Sequence, residues 1–422
     1  LLVRFHEMLI RSRTVLPLTS APIQEGAVRV IGERIVEMGR ALELRPLANE
    51  PVVDLGDSVL LPGLINAHCH LDYSSLKNAI SPPKSFTEWV KRLNSVKRQL
   101  SGEDILNSIA RGFQEAQRYG TTTVCSMVAF PELMSQIPPP PIRTWWFYEM
   151  IDIRHRITSE EVVAGALSFF EESQEDKRHS LSQFGLNPHA PYTASLLLYR
   201  LARACAAGNH MLLTTHVSES VEESEMFQNA SGALYDFLAG LERPMHDCGL
   251  DTPFGWLWRN GAIGPQWILA HLNELEASDF TLLGALPKEQ LPHVVHCPGS
   301  HHYFGHRPFP FTKLAGMGVN VCIGTDSLAS TDTLSLLAEV RRLQSAHPNL
   351  SAEDLLHTIT LAPARALRQE GQLGCIQTDA IADLIAIPYS GPATHAAEAV
   401  VAHSSTISWM MVGGNMALLE AT

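Results

Sequence analysis

Basic charge is scarce in this chain of 422 residues. The 31 Lys and Arg are outnumbered by 44 Asp and Glu, for a formal net charge of −13. The one clustered basic stretch, VKRLNSVKR (90–98), reads as the solvated face of a helix. Proteins that hold the phosphate backbone present basic patches, so a nucleic-acid partner is not expected. Cysteine is sparse too. The seven residues at 69, 125, 205, 248, 297, 322 and 375 form no C-x-x-C pair and no even framework, the pattern of reduced thiols in a cytoplasmic protein. No apolar run reaches the ~18–20 residues that span a bilayer. The first residues, LLVRFHEMLIRSR, carry charge where a signal peptide needs its apolar segment. Neither a membrane partner nor export is expected. Also missing are H-E-x-x-H, G-x-S-x-G, a P-loop and the H-x-E…P-C-x-x-C pattern of small zinc deaminases, which removes the chemistries those motifs carry.

What is present is a rhythm. Residues 1–57 read as short strands and turns, as in GAVRVIGERIVEMG (26–39). Eight apolar β-like runs follow: 58–68, 121–127, 143–150, 182–190, 210–216, 267–271, 291–297 and 318–326. Helical stretches such as TASLLLYRLARACAAG (193–208) separate them, and after the last run Leu336, Val340 and Leu343 recur at helical spacing. Ser351 with Asp354 marks a further helix start. Eight strand–helix units predict an α/β fold, a (β/α)8 TIM-type barrel over 58–375. A doubly wound open sheet is the alternative. The tail reverts to short strands at 378–388 and 407–414. Residues 1–57 and 376–422 are therefore expected to form a small β-sandwich domain from both termini. Loops are expected at 137–141 and 171–180.

The chemistry lies at the strand ends, where such barrels keep their active sites. The first run ends in NAHCHLDYS (66–74). In an extended chain His68 and His70 share a face. The fourth run ends at His189, the fifth at His216, the sixth at His271, the seventh at His296 with Cys297, and the eighth at Asp326. Three neutral imidazoles and one carboxylate suit one divalent metal ion, Zn2+ or Fe2+, with room for water. His68, His70, His216 and Asp326 are assigned to it. Glu219, three residues past His216, stands where the chain turns over the barrel mouth, in reach of the activated water. Glu222, Glu223 and Glu225 are expected on an exposed acidic face. The fourth strand end, LSQFGLNPHAPYTAS (181–195), has no lysine for a carboxylated bridge, which favours a single metal.

LPGLINAHCH, NPHAPYT, THVSES, ILAH, VVHCPGS and IGTDSLAS, in this order, resemble the amidohydrolase superfamily. They are similar within it to the aminohydrolase branch that includes guanine, adenosylhomocysteine, methylthioadenosine and aminodeoxyfutalosine deaminases and the triazine hydrolases. The resemblance spans nearly the whole chain. It implies that Glu219 shuttles protons, that His271 hydrogen-bonds the attacking water, that Asp326 helps orient it, and that His189 contacts substrate. Many members of the branch read H-C-P-x-S-N where this chain has HCPGSHHYFGH, with His301 in place of Asn. That phrase, SFTEWVKRL (85–93) and GTDSLASTDTLSLL look most like aminodeoxyfutalosine deaminase-type sequences. Glu88, Trp89, His189, His301, Tyr303 and Phe304 are the expected pocket wall.

The expected activity is metal-dependent hydrolytic deamination of an aminated purine or adenosine-like nucleoside, with ammonia released. Other uses of the same metal site are triazine chlorohydrolysis or aminohydrolysis and cyclic-amide hydrolysis. An inactive barrel that binds a heterocycle is the non-enzymatic alternative. The expected partner is a small heterocyclic substrate. A homodimer is compatible with the sequence, although no segment marks a sticky face.

Overall fold

A computed structural model describes residues 7–82, 84–153, 157–172, 183–265 and 267–417. The far ends of the two terminal segments, and most of the 171–180 loop, lie outside the described residues. Among the described residues no helix is long and apolar enough to cross a membrane.

The first strands are β1 (Glu7–Val15), β2 (Ile23–Ile31), β3 (Arg34–Arg40), β4 (Val52–Asp54) and β5 (Ser58–Pro62). Eight more make a second sheet: β6 (Leu64–Cys69), β7 (Thr121–Val128), β8 (Arg143–Met150), β9 (Gln183–Pro188), β10 (Leu212–Val217), β11 (Trp267–His271), β12 (His293–His296) and β13 (Asn320–Ile323). β14 (Leu384–Pro388), β15 (Trp409–Val412) and β16 (Asn415–Met416) complete the chain.

β6 to β13 pair in sequence order, each parallel to the next. The ring closes where Cys69 bridges Asp326, and the N–H groups of Thr325 and Asp326 both donate to the His68 carbonyl at 3.1 Å. This closure decides for the barrel over the open sheet. Met127, Trp145, Phe147, Ile268, Val295 and Cys322, from five strands of the ring, pack together at its centre. Their bulk makes the barrel a packed core whose chemistry is confined to the rim. Amphipathic helices cover the outside. Gly102–Arg118, started by a Ser101/Asp104 capping box, buries Ile105, Ile109 and Phe113 against it. The helix expected over 193–208 runs from Leu196 to Asn209 behind an N-cap at Ser195, and the one expected after Ser351 starts with a capping box to Asp354.

The run 58–68 is two strands, not one. β5 pairs antiparallel with β14 in the sheet built from the two terminal regions, while β6 opens the barrel. Gly63 is the joint. A Cβ there would collide with the Thr122 side chain, and its N–H donates to the Asp383 carbonyl at 2.8 Å. The terminal sheet runs β16-β15-β14-β5-β1-β2-β3, with β4 also on β1, around Ile10, Val28, Val30, Leu60, Leu384 and Met411.

Candidate metal centre and catalytic cavity

Period 2 alone does not turn His68 into the barrel. Ile65 and Ala67 already pack inside it, so strict alternation would point His68 outward. A break in register between Asn66 and Cys69 resets the phase. His68 and His70 then both reach the rim. Gly324 on the adjoining segment fits only because it lacks a side chain: a Cβ there would lie 2.7 Å from the His68 carbonyl oxygen.

His70 Nε2 and His216 Nε2 stand 3.3 Å apart. Asp326 Oδ1 is 3.7 Å from His70 Nε2 and 3.9 Å from His68 Nε2. Donors ~2.0–2.1 Å from a tetrahedral ion are themselves about 3.3 Å apart, so the spacing suits a shared cation. The polar accounting agrees. His68 Nε2, on the side facing Asp326, is buried and has no hydrogen-bond partner among the described residues, a costly state for a buried polar atom unless something else binds it. His216 and Asp326 are anchored on the side away from the cluster. His216 Nδ1 donates to the His189 carbonyl at 2.7 Å, and Ser300 and Ser330 hydroxyls donate to Asp326 Oδ2 at 2.7 and 2.9 Å. Each of these bonds leaves the other donor atom of its residue facing the cluster.

Protonation states fit as well. Burial, reinforced by His216, pushes the His68 imidazole down to about 3. Burial likewise holds His70, His189 and His271 well below the ordinary histidine range. Against the cost of its own burial, the His271, His70 and His68 rings and the Ser300 hydroxyl keep Asp326 below the usual carboxylate range. Neutral imidazoles with an ionised carboxylate are the ligand forms a divalent metal requires.

Glu219 faces this cluster from the turn after β10. Its Oε1 lies 3.7 Å from His271 Nε2, and Glu219, His271 and Asp326 present atoms within 4.8 Å of one another. Burial, with Asp326 and Glu223 nearby, raises the Glu219 carboxyl well above its ordinary value. Backbone strain accompanies the arrangement: Ser218, His271, Leu272 and Asp326 all have left-handed φ, between 48° and 76°. Each costs of order 1 kcal/mol.

The acidic face is a correction. Only Glu225 of the three is exposed. Glu223 is fully buried and accepts the N–H groups of Ser218 and Glu219 at 3.1 and 2.7 Å, clamping the turn that carries Glu219. Glu222 accepts the N–H groups of Phe86 and Thr87, both at 2.9 Å, and so caps the start of the helix Phe86–Lys97. Backbone donors at two chain turns bind these carboxylates, with Glu223 buried and Glu222 half-buried.

One cavity connects the centre to the surface. Of the expected wall, His189 and Trp89 line it. Glu88 is exposed on the helix Phe86–Lys97 and is not among the lining residues. His301 turns aside to Asn273 at 3.0 Å, Tyr303 donates its hydroxyl to the Ile80 carbonyl, and Phe304 packs edge-on against Trp89 with ring centres 5.1 Å apart. These three support the wall from behind. His296 stacks on Phe309 at 3.9 Å. Sequence reasoning missed Tyr73, Tyr192, Glu149 and Lys97, which do line the cavity. Lys97 belongs to the basic stretch expected to face solvent; its place in the last turn, seven residues past Val90, was the available signal.

Residues 59–417 match the Amidohydrolase family. The chain belongs to that family. It is a C–N hydrolase with a site for a divalent metal. It is 28% identical over 414 residues to 5-methylthioadenosine/S-adenosylhomocysteine deaminase of Pyrococcus furiosus, covering 94% of this chain and 90% of that one. It is 29% identical over 339 residues to aminodeoxyfutalosine deaminase of Deinococcus radiodurans, covering 78% of each. Among solved structures it superposes on an adenosine deaminase from Xanthomonas campestris with bound zinc, at a TM-score of 0.82 and 23% identity over 97% of this chain and 92% of that one. This last likeness carries the fold.

Proposed function

We propose that this amidohydrolase is a hydrolytic deaminase of an adenosine-like nucleoside, of the adenosylhomocysteine, methylthioadenosine or aminodeoxyfutalosine type. In this proposal His68, His70, His216 and Asp326 hold one zinc ion. The observation that carries it is Glu219: a buried carboxyl with a raised proton affinity, 3.7 Å from His271 and turned to the same point as Asp326. A group that must accept a proton and then return it near neutral pH works best with such an affinity. The names of the relatives support the same substrate class.

The metal, when bound, lowers the pKa of water from ~15.7 to ~7. Glu219 takes a proton from the attacking water and delivers it to the ring nitrogen beside the amino-bearing carbon. Once the C–O bond has formed, it takes the remaining proton from the newly attached hydroxyl and passes it to the amino group, which leaves as ammonia as the C–N bond breaks. His271 and Asp326 orient the water and offset the charge that develops on it. His189, on the cavity wall, contacts the substrate, and Trp89 offers a flat apolar surface to the ring.

The test is ammonia release from adenosine, methylthioadenosine, adenosylhomocysteine, aminodeoxyfutalosine and guanine. Turnover of at least one of the four adenosine compounds with stoichiometric ammonia is expected. Chloride release from a chlorotriazine with no ammonia from any nucleoside would replace this proposal with the triazine one.

A further inference from the structure

We propose that His301 is a positioning residue for the proton shuttle: by donating from Nδ1 to Asn273 it fixes which way that side-chain amide points, and so holds the backbone that carries Glu219. This deepens the proposed function and rests on it.

The turn after β10 has its backbone bound on every side. The N–H groups of Ser218 and Glu219 donate to the Glu223 carboxylate at 3.1 and 2.7 Å, and the Ser218 carbonyl accepts the Glu274 N–H at 2.9 Å. The Glu219 carbonyl is bound by a side chain instead, the Asn273 amide, at 3.1 Å. Ser218 has a φ of 51°, a conformation that a residue with a side chain keeps only when its surroundings hold it. The first three bonds can run only one way, from N–H to oxygen. The last one has a choice. An Asn amide turned over about its final bond presents oxygen where the NH2 was, and that oxygen would face the Glu219 carbonyl, acceptor against acceptor.

His301 removes the choice. It stands on the short helix Pro298–Phe304, and its Nδ1 is 3.0 Å from Asn273 Oδ1. An amide oxygen can only accept, so the imidazole donates, and the NH2 group is left turned to Glu219. Asn273 is buried, where an unpaired oxygen is costly. His296 and Phe309 meet the His301 ring edge-on, with centres 5.0 and 6.4 Å away, and restrict its rotation. His301 is not among the residues that line the catalytic cavity. Its route to the chemistry runs through Asn273.

The experiment uses an isosteric pair of variants, each metal-loaded. His301→Asn keeps an amide N–H two bonds beyond Cβ, where the imidazole has Nδ1, so its kcat should stay close to wild type. His301→Asp has the same shape but, ionised, only accepts. It repels Asn273 Oδ1 and turns the amide over, and kcat should fall about 10–100-fold, the scale of a catalytic group displaced by about an ångström. KM and metal content should stay near wild type. His301→Ala, which deletes the donor without adding a charge, should lose about tenfold and makes the same comparison if the charged variant does not fold. Equal kcat in the Asn variant and the variants without a donor would overturn the proposal. So would a loss carried by KM, which would return His301 to the substrate wall, or one that follows metal content, which would trace it to Ser300 and Asp326. Hydrogen exchange of the 217–220 backbone, read by mass spectrometry, separates this role from the deaminase reading. Exchange should be faster in His301→Asp than in wild type or His301→Asn, whether or not a nucleoside is turned over. Absence of ammonia release from every nucleoside overturns the proposed function alone; equal exchange in all three proteins overturns the positioning role.

Discussion

The side-chain amide of Asn273 donates to the backbone carbonyl of Glu219 at 3.1 Å. On its other side Asn273 accepts from His301 Nδ1 at 3.0 Å. The turn carrying the proposed proton shuttle is thus held from β11's end through Asn273 and from its own helix through Glu223. Positioning of this kind matters because an ångström of misplacement can cost orders of magnitude in rate.

Asn273→Ala should therefore lower kcat about tenfold or more while metal content stays at the wild-type level. Steady-state ammonia assays with metal analysis check it. An unchanged kcat would mean that the Glu223 clamp suffices.

Glu219→Gln preserves size but cannot exchange the proton. Turnover should fall about 10^2–10^4-fold with metal retained. Wild-type-like ammonia release by this variant would remove Glu219 from the mechanism.

Asp326 offers one oxygen to the imidazole cluster and binds two serine hydroxyls with the other. Asp326→Ala should lose both metal and activity. Ser300→Ala, which removes one orienting donor, should weaken metal affinity about 10–100-fold, read by competition with a chelator. Metal content unaffected by Asp326→Ala would place that carboxylate outside the coordination sphere.

Glu339 is fully buried, accepting the Gly299 N–H at 2.5 Å and a bond from Arg342 at 2.6 Å. Burial, only partly offset by Arg342, raises its carboxyl from 4.5 to about 7. The folded state thus binds this proton more tightly than the unfolded one. The associated stability is complete below about pH 4.5 and is lost as pH rises through about 7. Between pH 5 and 8 the Tm of wild type should drop by a few degrees relative to Glu339→Gln. Parallel Tm curves for the two proteins would show that the carboxyl does not titrate in this window.

Much of this site was legible before any coordinates. His68, His70, His216, His271 and Asp326 could be picked out because parallel strands of a closed barrel end on one rim, so residues remote in sequence share a neighbourhood by topology alone. Residues carried on loops and helices had no such rule. Glu88 and Lys97 lie on one helix, and the rotation of that helix sends Glu88 to solvent and Lys97 to the cavity. Glu222 and Glu223 look like surface charge, yet Glu223 is drawn inside by the backbone donors of its own turn and Glu222 is tied, half-buried, to the start of a distant helix. His301 stands where Asn is common in the branch, and only the fold shows that it reaches Asn273.

By itself, then, the order of apolar runs and the chemistry at their ends determined the architecture and which side chains gather at its rim, because strand period and barrel closure leave few places for a strand-end side chain to go. The tertiary structure decided the rest. Gly63 separates two sheets within one apolar run, a slip in register turns His68 inward, and the phase of one helix selects which charge faces the cavity. Those outcomes depend on contacts between distant segments, which local periodicity does not encode.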